Sequence, residues 1–229
     1  MIALFAVLAP ANLAAAEAKA NGHWEGNIQL PDRQLGFSVD LDQNQKGAWI
    51  GTITITGSPI ADVPLDSVAV EGTTVRFTAN LPDSASFEAH LSPDGAKLSG
   101  TASNAKGQAE FELARKADAN VKMPEPSSAL SKEFEGTWEG TVDAGGQTRH
   151  VQLKLSAASD GAATAVIVSV DQGNVEIPVT TVTIHGKELQ LDMRAIAGSY
   201  HGTLAASGQI AGEWSQGGQQ LALNFKRPQ

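Results

Sequence analysis

The serine and histidine in the stretch GSYHG, residues 198–202, are of the types that nucleophilic catalysis needs. Ser199 could attack an acyl carbon while His201 accepts its proton, as in serine hydrolases. The nucleophile of such enzymes usually takes the middle position of G-x-S-x-G, and Ser199 stands one position earlier. No orienting acid accompanies the pair. We therefore interpret both residues as strand positions that flank Tyr200, and we predict that the chain is not an enzyme.

Two pairs of acidic residues have the spacing of a paired-carboxylate catalyst. Asp40 and Asp42, like Glu110 and Glu112, are two positions apart and would share one face of a β-strand. Polar residues that alternate along the outward face of a strand explain the same spacing equally well. We predict no catalytic role for either pair.

Metal, cofactor and nucleic-acid sites are not predicted. The chain has no cysteine, and its 5 histidines form no H-x-H or H-x-x-x-H pair. The glycine pairs at 145–146 and 217–218 lack the lysine and the helix of a phosphate-binding loop. A formal net charge of −9 argues against nucleic acid, because phosphate binding needs a clustered basic surface.

Two copies of one sequence unit must position any functional residues. GHWEG at 22–26 returns as GTWEG at 136–140, and VPLDSVAVEG at 63–72 aligns at the same spacing with IPVTTVTIHG at 177–186. Proline and serine in ADANVKMPEPSSALSKEFE, between the copies, favour an extended linker. The predicted organisation is a first domain, a linker and a second domain over residues 22–116, 117–135 and 136–229.

Each copy shows the two-residue period of β-strands. Leu35, Phe37, Val39 and Leu41 alternate with small or polar residues. Turn-forming residues interrupt such runs often enough to predict about eight short strands per copy. Because closing an antiparallel sheet removes its exposed edges, we predict an all-β protein of two tandem, antiparallel up-and-down β-barrels.

A tryptophan and an arginine in each copy are predicted to close one barrel end. Trp24 and Trp138 lie in the first strands, and Arg115 and Arg227 lie in the last. These strands are neighbours in a closed meander, so the indole and the guanidinium can stack for about 0.5 to 2 kcal/mol. The arrangement resembles that of lipocalins and implies a lipocalin-like barrel. We interpret these four residues as structural.

A second resemblance covers both copies. The second copy, with G-x-W-E-G, DQG, IPVTTVTIHG, G-x-Y-x-G-T-L and GEWSQGG, resembles the β-rich N-terminal domain of exported bacterial α/β-hydrolases of the esterase or serine peptidase type. The first copy is weaker, with Ala102 where the second has Trp214. A hydrolase domain follows the module in that family. The resemblance implies a non-catalytic accessory module, or the N-terminal fragment of a serine hydrolase, with a hydrolase domain or another protein as partner.

The N-terminus has the pattern of a secretory signal peptide. Residues 1–18 contain an apolar run at 2–8, a proline at position 10 and A-x-A patterns near their end, although no lysine or arginine precedes the run. We therefore predict a signal peptide over residues 1–18 and a periplasmic or secreted protein with no membrane association after cleavage.

Three aromatic residues are candidates for contact with a ligand or partner: Trp49, Trp214 and Tyr200. Trp214, beside a predicted turn, can face a partner, line a barrel mouth or pack in the core. Small residues in AATAVIVSV at 162–170 leave open an alternative function, the binding of a small apolar ligand inside one barrel. The leading prediction is a non-catalytic exported module that acts through its surface.

Overall fold

The first half of the protein is a closed antiparallel barrel. The computed structural model describes residues 19–228, so the predicted signal peptide lies outside the described residues. The strands of this barrel are β1 (Gly22–Gln29), β2 (Gln34–Gln43), β3 (Trp49–Ile55), β4 (Val63–Glu71), β5 (Thr74–Ala79), β6 (Ala85–Leu91), β7 (Lys97–Asn104) and β8 (Gly107–Ala117). Each strand pairs with the next, and β1 pairs with β8 to close the sheet.

Four phenylalanines fill the middle of this barrel: Phe37, Phe77, Phe87 and Phe111. The rings of Phe77 and Phe87 stack with their centroids 4.6 Å apart. Phe37 lies 5.9 Å from Phe87, and Phe111 lies 5.6 Å from it at a steep angle. Alternating inward residues of short strands thus meet at the barrel axis and leave it occupied by side chains.

The second half forms a curled sheet of ten strands with two 3-10 turns, at Val170–Gln172 and Arg194–Ile196. The strands are β9 (Gly136–Ala144), β10 (Gln147–Ala157), β11 (Ala163–Ser169), β12 (Val175–Pro178), β13 (Thr181–His185), β14 (Glu188–Met193), β15 (Gly198–Leu204), β16 (Ile210–Gln216), β17 (Gln219–Ala222) and β18 (Asn224–Lys226). The all-β class and the two tandem barrels predicted from the sequence are confirmed.

Ten strands arise from the eight-strand plan because two strands are interrupted. In the first barrel, β4 pairs with β3 at its start and with β5 along the rest. The corresponding strand of the second barrel breaks at Val179 and Thr180, so that β12 pairs with β11 while β13 pairs with β14. The last strand breaks at Leu223, whose N–H donates to the carbonyl of Gly212 at 2.9 Å. The second sheet is consequently open along a seam between β11 and β13.

Glycines at matching positions allow the first and last strands of each barrel to approach closely. A Cβ atom at Gly26 would clash with the carbonyl of Glu112, and one at Gly140 would lie 2.8 Å from the carbonyl oxygen of Asn224. These are the glycines that follow the repeated tryptophan in GHWEG and GTWEG. The absence of a side chain therefore serves the close packing of the barrel wall.

The predicted linker, residues 117–135, is extended, and its two halves contact different barrels. The N–H of Asn120 donates to Asp40 Oδ1 at 2.7 Å on the first barrel. Phe134, at the other end, is fully buried in the core of the second barrel, and Leu130 packs against the same core. The second half of the linker is therefore structurally part of the second barrel.

One arginine connects the second barrel to the first barrel and to the linker. Arg194 Nη1 donates to the carbonyl oxygens of Asp62 and Lys122, at 2.8 and 2.9 Å. Ala195, next to it, is 2% exposed and packs with the core of the first barrel. Within residues 19–228, no helix is long and apolar enough to cross a membrane.

Candidate functional site

The repeated tryptophans occupy equivalent, fully enclosed positions at one end of each barrel. Trp24 and Trp138 are 0% and 1% exposed. Trp24 Nε1 donates to the carbonyl oxygen of Ala20 at 3.0 Å, and Trp138 Nε1 donates to that of Phe134 at 2.8 Å. In each case the acceptor lies four positions before the tryptophan, so the segment that enters the barrel satisfies the buried indole N–H.

An arginine covers each tryptophan in the same geometry. Arg115 Cζ lies 4.5 Å from the ring centroid of Trp24, and Arg227 Cζ lies 3.9 Å from that of Trp138. Each guanidinium also donates to two carbonyl groups of the entering segment, three and five positions before the tryptophan. Stacking and these hydrogen bonds together tie the segment, the first strand and the last strand into one closed end.

Tyr200 is a core residue of the second barrel. It is 1% exposed, and its hydroxyl donates to the carbonyl oxygen of Leu223 at 3.1 Å. Its ring packs edge-on against Phe225, with centroids 5.3 Å apart. Burial raises the pKa of Tyr200 far above its usual range, because the phenolate would lose its hydration. Strand alternation therefore places the ring of Tyr200 in the core of the second barrel, and its contact with a ligand or partner stays a prediction.

The two candidate tryptophans, Trp49 and Trp214, are half-buried. Trp214 is the cross-strand partner of Tyr200 and lies on the same inward face, where it packs near Gly198. Trp49 begins β3 and packs against the edge of the first core. Each tryptophan therefore packs against a core and is partly accessible to solvent.

The residues considered for catalysis are not assembled into a site. Ser199 and His201 are exposed strand positions on either side of the buried Tyr200, and their cross-strand partners include Asp192 and Glu213. No hydrogen bond within residues 19–228 joins Ser199 to His201. Residues two positions apart on one strand have Cα atoms about 6.5 Å apart, and their side chains project outward side by side without being directed at each other.

The second acidic pair lies on an open, polar groove on the outside of the first barrel. Glu110 and Glu112 are exposed, and Glu112 forms an ion pair with Lys97 at 2.9 Å. With Asn27 and Thr101 they line a groove of about 760 Å³ across β1, β7 and β8. The groove holds no buried titratable group, and an exposed ion pair of this kind contributes little energy.

The structure joins Asp40 to a histidine that the sequence did not single out. His23 Nδ1 lies 2.9 Å from Asp40 Oδ2, and His23 Nε2 lies 2.9 Å from Glu25 Oε1. Burial alone would lower the pKa of His23, but the hydrogen bonds and charges of Glu25 and Asp40 outweigh it and raise the pKa above its usual value. The other oxygen of Asp40 accepts from Asn120 in the linker.

This cluster holds the start of the linker against the first barrel. No group of three or more histidine, aspartate or glutamate side chains in the described part of the chain could hold a metal ion. The contact between His23 and Asp40 depends on the register of β1 against β2, in which the two residues are direct partners. The contact follows from the hairpin register alone: a turn at residues 30–33 makes His23 and Asp40 cross-strand partners.

Comparisons with known proteins give no family. No protein-family model matches the chain, and no curated protein matches it. Among solved structures it is similar to a candidate outer membrane protein of Bacteroides fragilis, with 13% identity, 92% of this chain and 98% of that chain covered, and a TM-score of 0.30. It is also similar to a protein of unknown function from the DUF3598 family of Nostoc punctiforme, with 13% identity, coverage of 91% and 96%, and a TM-score of 0.27. Likeness at this level carries no argument about what this chain does.

Proposed function

We propose that the protein is a non-catalytic, exported binding module that acts through the outer surfaces of its two barrels. The observation that carries this proposal is that both barrel interiors are occupied by the protein's own side chains. Phe37, Phe77, Phe87 and Phe111 meet at the axis of the first barrel. Tyr200 and its neighbours occupy the second. A carrier of small apolar ligands instead needs an enclosed apolar cavity.

The exposed positions of Ser199 and His201 support the non-catalytic part of the proposal. A nucleophile needs its base within hydrogen-bond reach, and these side chains are separated on the sheet surface. A screen with p-nitrophenyl esters and peptide p-nitroanilides should give no turnover above that of Ser199→Ala. Turnover by the purified chain that Ser199→Ala abolishes would refute the proposal.

A fluorescent apolar probe tests the rival function of ligand carriage. We expect 1-N-phenylnaphthylamine to show no saturable binding to the folded protein, because Phe77 and Phe87 stack where the ligand would lie. The matched variant is Phe87→Ala, which creates an apolar cavity and should gain probe binding if it folds. Saturable uptake by the unmodified protein, competed by fatty acid, would establish the carrier function instead.

The hydrolase-associated role is a further part of the proposal, and it rests on the resemblance of residues 136–227. It predicts that the reading frame encodes an α/β-hydrolase domain with a G-x-S-x-G elbow, or that such a hydrolase is the partner. Export rests on residues 1–18. Fusion of those residues to alkaline phosphatase should give periplasmic activity, and mass spectrometry of the exported protein should place its first residue near Lys19. A cytoplasmic, uncleaved fusion would refute export.

A further inference from the structure

The groove on the outside of the first barrel lies over two rows of polar side chains. Asn27 pairs with Glu112, and Glu112 pairs with Ser99, so these residues form the first row across β1, β8 and β7. The second row, two positions along each strand, consists of Gln29, Glu110 and Thr101. By the spacings of a β-sheet, neighbours within a row are about 4.8 Å apart and the rows are about 6.5 Å apart.

Most side chains of the two rows have hydrogen-bonding groups that the protein leaves free. Glu112 accepts from Lys97, and Gln34 on β2 donates to Gln29, both at 2.9 Å. Among residues 19–228, the side chains of the other four members of the two rows make no hydrogen bond to protein. Their amide, hydroxyl and carboxylate groups include both donors and acceptors. A ligand in the groove therefore meets a two-dimensional array of available polar groups.

The groove has the size of a ligand site. Its volume of about 760 Å³ falls within the range of roughly 300 to 1,000 Å³ that small-molecule sites occupy. The short side chains of Ser99 and Thr101 on β7 leave room beside the long side chains of Glu110 and Glu112 on β8.

The lining of the groove disfavours apolar ligands and apolar protein partners. The apolar residue among those that line it, Phe111, lies between the two rows, points into the barrel and is 4% exposed. Protein partners are held mainly by aromatic and arginine anchors in well-packed, desolvated pockets. The groove offers polar side chains in place of such a pocket.

Strand addition does not explain the groove either. The strands β1, β7 and β8 each pair with a neighbour on both sides, so their backbone edges are occupied. The seam between β11 and β13 in the second barrel is bridged by the linker: the N–H of Ser128 donates to the carbonyl of Val182 at 2.9 Å, and the carbonyl of Ser128 accepts from Ala163 at 2.7 Å. Recognition at the groove must therefore use side chains.

The charge of the groove favours a neutral ligand. Glu110 and Glu112 repel phosphate and carboxylate groups, and the whole chain carries a formal net charge of −9. Lys97 lies 2.9 Å from Glu112 and compensates one of the two carboxylates. Uncharged amides and hydroxyls outnumber carboxylates in the lining by five to two. This composition matches a ligand that carries many hydroxyl groups and no net charge.

We propose that this groove binds a neutral oligosaccharide. Sugar hydroxyls donate to the carboxylates of Glu110 and Glu112, and they both donate to and accept from the amides of Asn27 and Gln29. The proposal rests on the proposed function and names its surface and its ligand class.

The second barrel lacks this array and supplies the control. At the repeat spacing Thr141 corresponds to Asn27 and Asp143 corresponds to Gln29. Asn224, the cross-strand partner of Thr141, stands where the first barrel has Glu112. Sugar binding should therefore be confined to the first barrel.

The test titrates the full chain, labelled with 15N, with four neutral hexasaccharides: β-1,4-linked glucose, α-1,4-linked glucose, β-1,4-linked mannose and β-1,4-linked N-acetylglucosamine. We expect at least one of them to give saturable shifts of the backbone amides of Asn27, Ser99 and Glu110 at concentrations up to about 5 mM. The affinity should be the same at about 50 and about 500 mM NaCl, because salt screens charges and the ligand has none.

Variants of the groove locate the binding site. Glu110→Gln and Asn27→Ala should each weaken saccharide binding by about fivefold, because each removes hydrogen-bonding capacity toward the ligand. Both residues are exposed, so the melting temperature should stay unchanged. The matched control is Thr141→Ala, at the position of the second barrel that corresponds to Asn27, and it should bind like the wild type.

Two results would overturn the proposal. The first is the absence of shifts with all four hexasaccharides at about 5 mM. The second is saccharide binding that neither groove variant weakens, which would place the ligand elsewhere. A parallel titration with spermine covers the alternative occupant: shifts of the same amides by spermine alone, lost at about 500 mM NaCl, would assign the groove to a cationic ligand. Turnover or probe uptake in the esterase, peptidase and probe assays would refute the proposed function whatever the groove binds, so the two failures are distinguishable.

Discussion

Replacement of Phe134 by alanine should destabilise the second barrel as strongly as a substitution in its sheet. Phe134 lies in the segment that the sequence marks as linker, yet it is 0% exposed and packs in the core with Trp138. Large-to-small substitution of a buried phenylalanine costs about 3 to 5 kcal/mol. The backbone carbonyl that accepts from Trp138 remains in the variant, so the loss reports packing. The first barrel has Ala20 at the corresponding place, 1% exposed, which shows that alanine is compatible with this backbone.

Thermal unfolding followed by circular dichroism measures this change. If the 229-residue chain unfolds in one transition, a loss of this size lowers the melting temperature by roughly 6 to 20 °C. If the barrels unfold separately, only the transition of the second barrel should move. The matched control is Met123→Ala in the same linker, where the methionine is 45% exposed and the expected change is within about 0.5 kcal/mol. Equal effects of the two substitutions would refute the assignment of this segment to the second barrel.

Three more predictions follow from the closed ends, the histidine cluster and the contact between the barrels. Trp24→Ala and Trp138→Ala should each lower the free energy of unfolding by about 3 to 5 kcal/mol in denaturant titrations, and a variant that kept its stability while losing a partner would contradict their structural role. Because the folded-state pKa of His23 is raised, its stabilisation is fully present below about pH 6.5 and is lost as the pH rises through the folded value. The urea midpoint of the wild type should therefore exceed that of His23→Gln at low pH and converge with it at high pH; a constant difference would argue against a titrating contact. Arg194→Met should speed hydrogen exchange at the amides around Asp62, since it removes the donor to that carbonyl, and unchanged exchange would show that the arginine does not hold the barrels together.

Much of the architecture could be predicted from the sequence because its signals are local. The two-residue period of Leu35, Phe37, Val39 and Leu41 depends only on which side of a strand each residue faces. The closed ends could be predicted equally well, because Trp24 and Arg115 lie on strands that must be neighbours in any closed meander. The guanidinium of Arg115 lies over the indole of Trp24 in the structure.

The features that could not be predicted depend on contacts between distant segments. Ser128 has neither strand periodicity nor apolar neighbours on both sides, and only the break at Val179 and Thr180 opens the seam that it enters. The position of Tyr200 required the phase of its strand to be known, since a shift of one residue exchanges the inward and outward faces. The cluster of His23 with Asp40 likewise depends on hairpin register. The periodicity of strands can therefore be predicted from this sequence, whereas the pairing of its irregular segments cannot.

Anchoring of the linker on both barrels fixes the distance over which a bivalent partner must reach. Asn120 is bonded to the first barrel, Ser128 to the second, and Arg194 fastens the stretch between them. A free linker of this length would let each barrel search a volume set by random-coil statistics, and the second of two binding events would depend on the effective concentration in that volume. In this protein the folded linker already holds the two barrels at one spacing. A partner that touches both barrels therefore gains the full benefit of a matched spacing, and a partner of any other spacing is held by one barrel alone.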